Sequence, residues 1–504
     1  MLYLGIDSST QGVKCLAIEP ATGKIVGESA VNFGRDLPQY DSPNGYLPSE
    51  DPLLRHANPL MWLDGLELAL KRLSAEIPMA EVEGISGSGQ QHGSVYLIAH
   101  SWPILPGTSL ANYMEGYLSR DTSPIWMDHS TSDECHELER MFGKQMVLRT
   151  GSPAIERFTG PQIRRFQKMQ PCTYAVTETI HLVSSFLCSA LIGKDAPIDY
   201  GDGAGMNLLD LQTMQWAPDI AEATAPELLT KLPAIVPSNT IAGHLTPYFE
   251  RFGLRPGIPV VTWSGDNPSS LIGTGAFLPG VTGISLGTSD TIFTPMSQFR
   301  TDPEGCGHIF GNPAGGFMSL LCFTNGSLAR EHVRDELGVD WHYFDETACE
   351  ETVPGNDGRL MLPWFSAENT PAVHQPGVRR NYTEATPAQE IRAILESQAL
   401  AMRLHSSWMG KPRVIRLTGG ASRAKGFRQI LADVFQADVE TISVTNSAGL
   451  GAAMRAAATV ENIPLVELAN AFCGAERVAV PNPQFAALYE ESLQKYQALE
   501  TSER

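Results

Sequence analysis

The chain opens with short apolar segments separated by small polar residues. Residues 2–6 and 13–18 are apolar runs that flank a polar turn at 8–12, and a third strand-like stretch covers 24–31. Short runs joined by tight turns are typical of antiparallel strands. Residues 2–31 are therefore predicted to form a three-stranded antiparallel meander.

Helical spacing of apolar residues follows the meander. Apolar positions three or four residues apart predict an amphipathic helix over 58–77. The spacing is carried by Leu60, Leu63, Leu66, Leu70 and Leu73. Residues 82–86 are predicted to form a strand that runs into a glycine-rich turn, 180–191 a helix, and 197–207 an irregular Gly/Asp loop.

A later segment repeats the plan of the first hairpin. Residues 281–295 form a short strand, a small polar turn and a second strand, as residues 2–18 do. Residues 414–417 are predicted to form a strand that leads through a Gly-Gly turn into a helix near 426–435. Residues 256–276 are predicted to form a strand, a turn (264–269) and a helix. Two similar hairpins in one chain predict a duplicated domain in which both hairpin turns face one ligand, although any two hairpins share this plan.

Composition limits the class of protein. The chain has 504 residues, a length that predicts two to four domains. Of these residues 42% are hydrophobic, which is enough for large buried cores and excludes wholesale disorder. The net charge of −20 and the pI of 5.0 argue against nucleic acid or an anionic membrane as the main partner. A small anion remains compatible, because backbone N–H groups and a metal ion can meet its charge locally.

Targeting and cysteine patterns narrow the location. No apolar run approaches the roughly 18–20 residues that cross a bilayer, and the N-terminus reaches Asp7 without a signal-peptide pattern. The eight cysteines form no CxxC pair and no ligand spacing. We expect a soluble, cytoplasmic protein whose cysteines are buried small hydrophobes in a reducing compartment.

The two polar turns are candidate phosphate sites. Asp7 ends the first strand, so its carboxylate could hold hydrated Mg²⁺ while the following hydroxyls and N–H groups surround phosphate oxygens. The alternative is an ordinary Asx turn. Gly287, Thr288 and Ser289 admit the same two interpretations, and their repetition favours phosphate. The chain contains neither GxxxxGK[ST] nor GxGxxG, which excludes a P-loop and the simplest Rossmann site.

Other polar residues also lie at ends of predicted elements. Asp266 lies between a strand and a helix, where it suits either a general base or a helix N-cap. His92, in a Gly/Gln-rich turn, suits contacts to sugar hydroxyls or a structural role. Arg157 alone would be interpreted as a surface charge. Gly419 and Gly420 allow close approach of a flat or anionic ligand, or they only shape a loop.

Taken together, these segments resemble the FGGY carbohydrate kinases of the actin/Hsp70/sugar-kinase superfamily. The phosphate, adenosine and closing-helix matches are GIDSSTQGVK (5–14), ISLGTSDTIF (284–293), LTGGASRAKGFRQILADVF (417–435) and SAGLGAAMRAA (447–457). The matches on the sugar side are SGQQHGS (88–94), WMDHST (126–131), ERFTGPQI (156–163), LVSSFL (182–187), PIDYGDGAGMNLL (197–209) and SGDNPSSL (264–271).

The resemblance implies an α/β fold of two RNase-H-like (actin-like ATPase) domains, with mixed sheets flanked by helices and facing a central cleft. The sugar-binding domain would be 1–276 and the ATP-binding domain 277–504. The implied activity is ATP- and Mg²⁺-dependent phosphorylation of the ketopentose D-xylulose to D-xylulose 5-phosphate. The alternatives are a kinase for another pentulose or polyol and a non-catalytic, actin-like nucleotide-binding regulator. A homodimer is compatible with the resemblance.

The resemblance also implies a role for individual residues. Asp266 would be the catalytic base, Asp7 would attend the metal, and four residues would contact the sugar: His92, Arg157, Asp266 and Asn267. Phosphate and adenosine contacts would come from Thr10, Gly287, Thr288, Ser289, Trp341, Gly419 and Gly420. The chain departs from its relatives at Ser422-Arg423-Ala424, where many have a His-Asn pair, so an amide contact to the nucleotide would be either missing or replaced by Arg423.

Overall fold

The structure is a computed structural model, and it describes residues 1–442 and 444–504. Two mixed seven-stranded sheets dominate it. The first contains β1 (Leu2–Ser8), β2 (Gly12–Glu19), β3 (Lys24–Asn32), β4 (Val82–Gly89), β5 (Ile241–His244), β6 (Pro259–Val261) and β7 (Ser264–Gly265). The second contains β8 (Val281–Leu286), β9 (Asp290–Met296), β10 (His308–Gly311), β11 (Phe317–Phe323), β12 (Val414–Thr418), β13 (Asp438–Ile442) and β14 (Ala475–Ala479).

The two sheets share one topology. The first has the order β5-β6-β4-β1-β2-β3, with β7 also paired to β4, and the second has the order β10-β11-β9-β8-β12-β13-β14. In each, an antiparallel hairpin (β1–β2, β8–β9) continues into parallel neighbours (β4 and β6, β12 and β13). The duplication expected from the two hairpins is confirmed.

Short strand pairs lie outside the two sheets. They join His56–Ala57 to Ser123–Pro124, Ser94–Leu97 to Thr179–Leu182, Ile198–Asp199 to Ile235–Val236, Leu209–Asp210 to Gln215–Trp216 and Met361–Leu362 to Arg379–Arg380. Most of these pairs belong to a segment inserted between β4 and β5. That segment has its own small apolar core.

Helices cover both sheets. Those of eight or more residues are α1 (Pro59–Leu73), α2 (Ser132–Phe142), α3 (Thr159–Met169), α4 (Val183–Ile192), α5 (Asp266–Gly273), α6 (Ser327–Leu337), α7 (Pro387–His405), α8 (Lys425–Phe435), α9 (Ser447–Glu461), α10 (Leu465–Phe472) and α11 (Ala486–Glu503). The first sheet packs with α1 and α4 around one apolar core, and the second packs with α7, α8 and α11 around another. No helix among the described residues is long and apolar enough to cross a membrane.

Glycines let α5 and α9 approach each other closely. A Cβ at Gly451 would lie 1.9 Å from the carbonyl oxygen of Ser269, and one at Gly273 would lie 1.9 Å from that of Ser447. Only a residue without a side chain fits there. Although α9 lies between β13 and β14 of the second sheet in sequence, it packs on β1 and β4 of the first sheet. The predicted domain boundary between 276 and 277 stays a prediction.

Four sequence-based expectations need correction. The helix expected over 180–191 begins only at Val183, because Thr179–Leu182 pairs with Ser94–Leu97 as a strand. The irregular loop expected at 197–207 is a short strand followed by two helical turns. The turn expected at 264–269 is instead β7 and the start of α5. The eight cysteines are free, but only four of them are buried: Cys172 is exposed, and Cys306, Cys322 and Cys349 are partly buried.

Candidate active site

The carboxyl ends of the parallel strands bring several polar residues to one edge of the first sheet. Strands β1, β4 and β7 are parallel, and Ser88 of β4 lies opposite both Asp7 and Ser264. Since each of these strands ends at the same edge, Asp7, the loop after Gly89 and Asp266 converge there. Sequence spacing alone gave no measure of this proximity.

Asp7 is a buried carboxylate at the end of β1. The Ser88 hydroxyl donates a hydrogen bond of 2.7 Å to Asp7 Oδ1. Burial raises the pKa of Asp7, because the charged form loses its hydration. A bound divalent cation would offset that loss. Within the described residues no three His, Cys, Asp or Glu side chains form a metal cluster, so Asp7 fits a cation that keeps most of its waters, as Mg²⁺ does.

Asp266 is the first residue of α5, and the helix N-cap is Gly265. The N-cap interpretation of Asp266 is therefore wrong. Its Oδ1 accepts hydrogen bonds from the Asn267 backbone N–H at 2.8 Å and the Asn267 side-chain amide at 3.1 Å. Burial and the nearby charge of Asp7 raise the pKa of Asp266 to about 7. A carboxyl group that titrates near neutral pH can accept a proton from a reacting hydroxyl.

Asn267 connects the carboxylate to Gln91. The Asn267 amide donates to Gln91 Oε1 at 2.9 Å, which fixes the Gln91 amide with its nitrogen turned away from Asn267. That nitrogen is buried and has no hydrogen-bond partner in the described chain. A buried donor without a partner is costly, so it suits a ligand oxygen. The sequence analysis quoted the motif containing Gln91 but assigned only His92.

His92 adopts a left-handed backbone with φ of 69°. Its Nδ1 lies 2.8 Å from the Gly205 carbonyl oxygen, and a carbonyl only accepts, so Nδ1 carries the proton. Burial, followed by the charge of Arg157, lowers the pKa of His92 to about 3. The ring is therefore neutral near pH 7, and Nε2 is an acceptor suited to a ligand hydroxyl.

Phe158 joins the residues that the resemblance assigns to the sugar. The His92 ring stacks on Phe158 at 4.3 Å between centroids, and the Arg157 guanidinium carbon lies 5.7 Å from the Phe158 centroid. Arg157 also donates to His308 Nε2 at 3.2 Å. Burial lowers the pKa of Arg157. Because Arg157 is partly buried and contacts both Phe158 and His308, it is not the surface charge that the sequence alone suggested. Phe158 and His308 were not candidates, and His308 has no local sequence signal.

A second set of strand ends lies in the other sheet. Strands β8 and β12 are parallel, with Ser285 opposite Thr418, so the turn at Gly287 and the Gly-Gly turn follow neighbouring strand ends. Gly419 has φ of 86°, and a Cβ there would lie 2.3 Å from the Leu286 carbonyl oxygen. Around Gly420 a Cβ would meet nothing within 4 Å. The structure thus brings the predicted phosphate and adenosine turns together.

A buried ion pair fixes the turn between β8 and β9. The Arg330 guanidinium donates to both Asp290 carboxylate oxygens, at 2.7 and 2.9 Å, and to Gln398 Oε1 at 2.8 Å. The Ser327 N–H donates to the Gly287 carbonyl oxygen at 2.9 Å. Bidentate pairing in a buried setting fixes geometry, so the turn is rigid where a phosphate would bind.

The hydroxyl residues that are predicted to contact phosphate differ in their hydrogen-bond partners and exposure. Thr10 accepts a hydrogen bond from the Trp126 indole N–H at 2.8 Å and donates to Gln90 Oε1 at 3.3 Å. Thr288 is exposed and Ser289 is partly exposed, which leaves both hydroxyls accessible to an anion. The phosphate role of the Thr10 turn and of the Thr288 turn stays a prediction.

Trp341 and Arg423 are the outlying candidates. Trp341 is 39% exposed, and its ring lies 4.3 Å from the Arg334 guanidinium carbon. The described contacts do not bring Trp341 against Gly419 or Gly420, so its adenosine role stays a prediction. Arg423 is exposed at the end of the short helix Gly420–Arg423.

Two mixed sheets with paired hairpin turns and a carboxylate that titrates near neutral pH define a candidate phosphotransferase. The model of the N-terminal domain of the FGGY family of carbohydrate kinases matches residues 122–273, and that of the C-terminal domain matches 283–460. The chain belongs to the FGGY family of carbohydrate kinases.

Similar proteins carry related names. Xylulose kinase of Rattus norvegicus is 39% identical over 99% of this chain and 96% of that protein. Xylulose kinase 2 of Arabidopsis thaliana is 39% identical over 90% of this chain and 87% of that protein. The solved structure of a ligand-bound xylulose kinase from Lactobacillus acidophilus covers 99% of this chain and 98% of its own, with a TM-score of 0.84 and 19% identity. That likeness confirms the two-domain α/β fold.

Proposed function

We propose that this protein transfers the γ-phosphoryl group of ATP to the terminal hydroxyl of D-xylulose, forming D-xylulose 5-phosphate and ADP. The observation that carries the proposal is Asp266, whose pKa of about 7 suits a base and whose neighbour Asn267 connects it to Gln91, the residue before His92. The choice of sugar rests on the relatives named xylulose kinase. A pure nucleotide-binding regulator would have no need of this polar set.

The sugar would bind at the edge of the first sheet. Donors would come from the free Gln91 amide nitrogen and the Arg157 guanidinium, and acceptors from His92 Nε2 and the Asp266 carboxylate. A ketopentose presents hydroxyls that both donate and accept, together with a carbonyl oxygen that only accepts. The mixed donor and acceptor set fits such a ligand.

Asp266 would act on the terminal hydroxyl. Its carboxylate takes the hydroxyl proton as the sugar oxygen forms a bond to the γ-phosphorus. The bond between that phosphorus and the bridging β–γ oxygen breaks, and its electron pair leaves with ADP. A base with a pKa near 7 is largely ionised at pH 7.5 yet still basic enough to take the proton.

The nucleotide would bind at the ends of β8 and β12. Backbone N–H groups and hydroxyls of the turn at Gly287, Thr288 and Ser289 would hold phosphate oxygens, facing Thr10 of the first hairpin, and Gly419 and Gly420 would approach adenosine. Asp7 fits Mg²⁺ brought by ATP, which would neutralise phosphate charge. Removing divalent cations with EDTA should abolish ADP release, and activity that survives EDTA would contradict the magnesium proposal.

The test is a coupled assay of ADP release over pentuloses, hexuloses, pentitols and glycerol. We expect turnover with D-xylulose to exceed turnover without sugar by at least about 10²-fold. Preference for another pentulose or polyol would change the proposed substrate, but the protein would still be a carbohydrate kinase. ATP binding without sugar-dependent ADP release from any panel member would favour the regulator and contradict the proposal. A sugar-binding domain at 1–276, an ATP-binding domain at 277–504, a homodimer and a cytoplasmic location stay predictions.

A further inference from the structure

We propose that His308 is a positioning residue, which reaches across from the second sheet and holds Arg157 in the orientation that binds the sugar. This inference rests on the proposed function, because that function places Arg157 against the sugar. Nothing in the sequence pattern around His308 indicates such a role. The observations that carry it are the packing and hydrogen bonds around Arg157 and the burial of His308 and Phe158.

The edge strand of the second sheet packs directly against the segment that carries Arg157. The Ile309 N–H in β10 donates to the Gly151 carbonyl oxygen at 3.1 Å. A Cβ at Gly151 would lie 2.6 Å from Ile309 Cβ, so glycine permits this contact. His308, the first residue of β10, is thereby held at a fixed place beside Ser152 and Arg157.

The hydrogen bonds determine the tautomer of His308. Arginine only donates, so His308 Nε2 accepts from the Arg157 Nη2 group at 3.2 Å. Nδ1 then carries the proton and donates to the Ser152 hydroxyl oxygen at 3.2 Å. Burial and the charge of Arg157 hold the pKa of His308 well below its usual range, so the ring stays neutral and Nε2 stays an acceptor.

Arg157 depends on His308 for its orientation. Among the described residues, His308 Nε2 is the hydrogen-bond partner of the Arg157 guanidinium. Phe158 gives Arg157 a flat neighbour, and His308 packs on the same ring at 5.4 Å between centroids. An aromatic face fixes one side of a guanidinium but leaves it free to rotate and slide. The directional constraint therefore comes from His308.

The test compares three substitutions at one position. His308→Leu removes both hydrogen bonds, and we expect it to raise the KM for the sugar about 5- to 50-fold. His308→Gln keeps an acceptor near Nε2 and should stay within about threefold of the wild type. His308→Asn reaches only the Ser152 side, so it should resemble His308→Leu. In all three, kcat and the KM for ATP should change less than about twofold.

A structural role would give a different pattern. If His308 only supported the fold, the Gln and Asn variants would behave alike, and KM would follow the loss of melting temperature. In an Arg157→Ala background, His308→Leu should add no further increase in KM, because there is no guanidinium left to orient. The inference would be overturned if the two substitutions had additive effects on the KM for the sugar in this double-mutant cycle. An unchanged KM for the sugar in His308→Leu would also overturn it.

A crystal structure separates this inference from the proposed function. In His308→Leu we expect the Arg157 guanidinium to move by more than about 1 Å or to lose defined density, whereas Phe158 stays in place. An unmoved guanidinium would overturn the role of His308 even in an active enzyme. Absence of ADP release by the wild type with every panel sugar would overturn the proposed function, and the crystallographic comparison would still decide the role of His308.

Discussion

The two carboxylates at the edge of the first sheet differ in their surroundings, and the difference fits separate roles. Asp7 is buried within β1 and accepts a hydrogen bond from Ser88. Asp266 is partly exposed at the start of α5, and the charge of Asp7 adds to burial in raising its pKa to about 7. One carboxylate therefore suits a cation, and the other suits proton transfer.

Replacing Asp266 with asparagine tests the base. Asp266→Asn keeps the size of the side chain but cannot accept a proton near neutral pH. We expect kcat to fall by about 10²–10⁴. The KM for ATP should change little, because the proposed nucleotide site lies at the other sheet. Steady-state kinetics on the purified variant provide the measurement. A folded variant with near-normal turnover would contradict the mechanism.

Stability should respond to the same substitution in a defined direction. Because the folded pKa of Asp266 is raised from 3.8 to about 7, the folded state binds more protons than the unfolded state between these values, and wild-type stability falls as pH rises through that window. Asp266→Asn lacks this penalty. Its melting temperature relative to wild type should rise between pH 5 and pH 8, and a constant difference would contradict the raised pKa.

The pH dependence of activity follows from the same pKa. The base must be ionised, so kcat/KM for the sugar should rise several-fold from pH 6 to pH 7.5 and then level off. His92, with a pKa of about 3, does not titrate in this range. The measurement keeps ATP saturating as its magnesium complex. A flat profile from pH 6 to pH 8 would indicate an ordinary carboxyl pKa and contradict the account.

At the scale of elements, the Gly-Gly turn and the hairpin between β8 and β9 form one unit. Gly419→Ala adds a Cβ that would lie 2.3 Å from the Leu286 oxygen, on a backbone with φ of 86°. We expect a loss of stability of about 1–3 kcal/mol. The KM for ATP should also rise, because Leu286 precedes the turn that we propose for phosphate binding.

Gly420→Ala is the matched control for stability. A Cβ at Gly420 meets nothing within 4 Å, so its melting temperature should stay within about 1 °C of the wild type. Chemical denaturation and thermal melts of both variants provide the measurement. Equal stability losses in the two variants would show that the close approach of Gly419 to Leu286 does not cause the destabilisation.

The sequence predicted the repeated hairpins because their signals are local. Apolar runs and polar turns predict hairpins over 2–18 and 281–295, and both are confirmed. The strand at Thr179–Leu182 was missed, because its partner Ser94–Leu97 lies far away in sequence. The start of α5 at Asp266 was missed because Gly-Asp-Asn-Pro is also typical of turns.

The site was predictable only where residues fall in recognisable motifs. Asp7, Asp266 and His92 follow strands or sit in polar turns, so their chemistry could be anticipated. Phe158 looks like an ordinary core aromatic, and His308 begins an apolar edge strand in the other half of the chain. Their roles arise from contacts between distant segments, which one sequence does not reveal.

For the whole molecule, the proposed reaction needs groups from both sheets. Most of the sugar candidates follow β4 and β7 of the first sheet, and Asp7 and Thr10 lie at the end of β1, whereas the other nucleotide candidates at Gly287 and Gly419 follow β8 and β12 of the second sheet. Transfer in place of hydrolysis requires the two sets to approach and exclude water. Small-angle scattering should therefore show compaction when D-xylulose and a non-hydrolysable ATP analogue are added together. No change in the radius of gyration would contradict domain closure.

The central claim is phosphoryl transfer to the terminal hydroxyl of D-xylulose. The most direct measurement is ³¹P NMR of a reaction containing the protein, ATP, Mg²⁺ and D-xylulose. The account predicts that the γ-phosphate signal of ATP is replaced by ADP signals and a phosphomonoester signal coupled to the two protons on carbon 5. Inorganic phosphate as the only new phosphate signal, or no consumption of ATP, would contradict it.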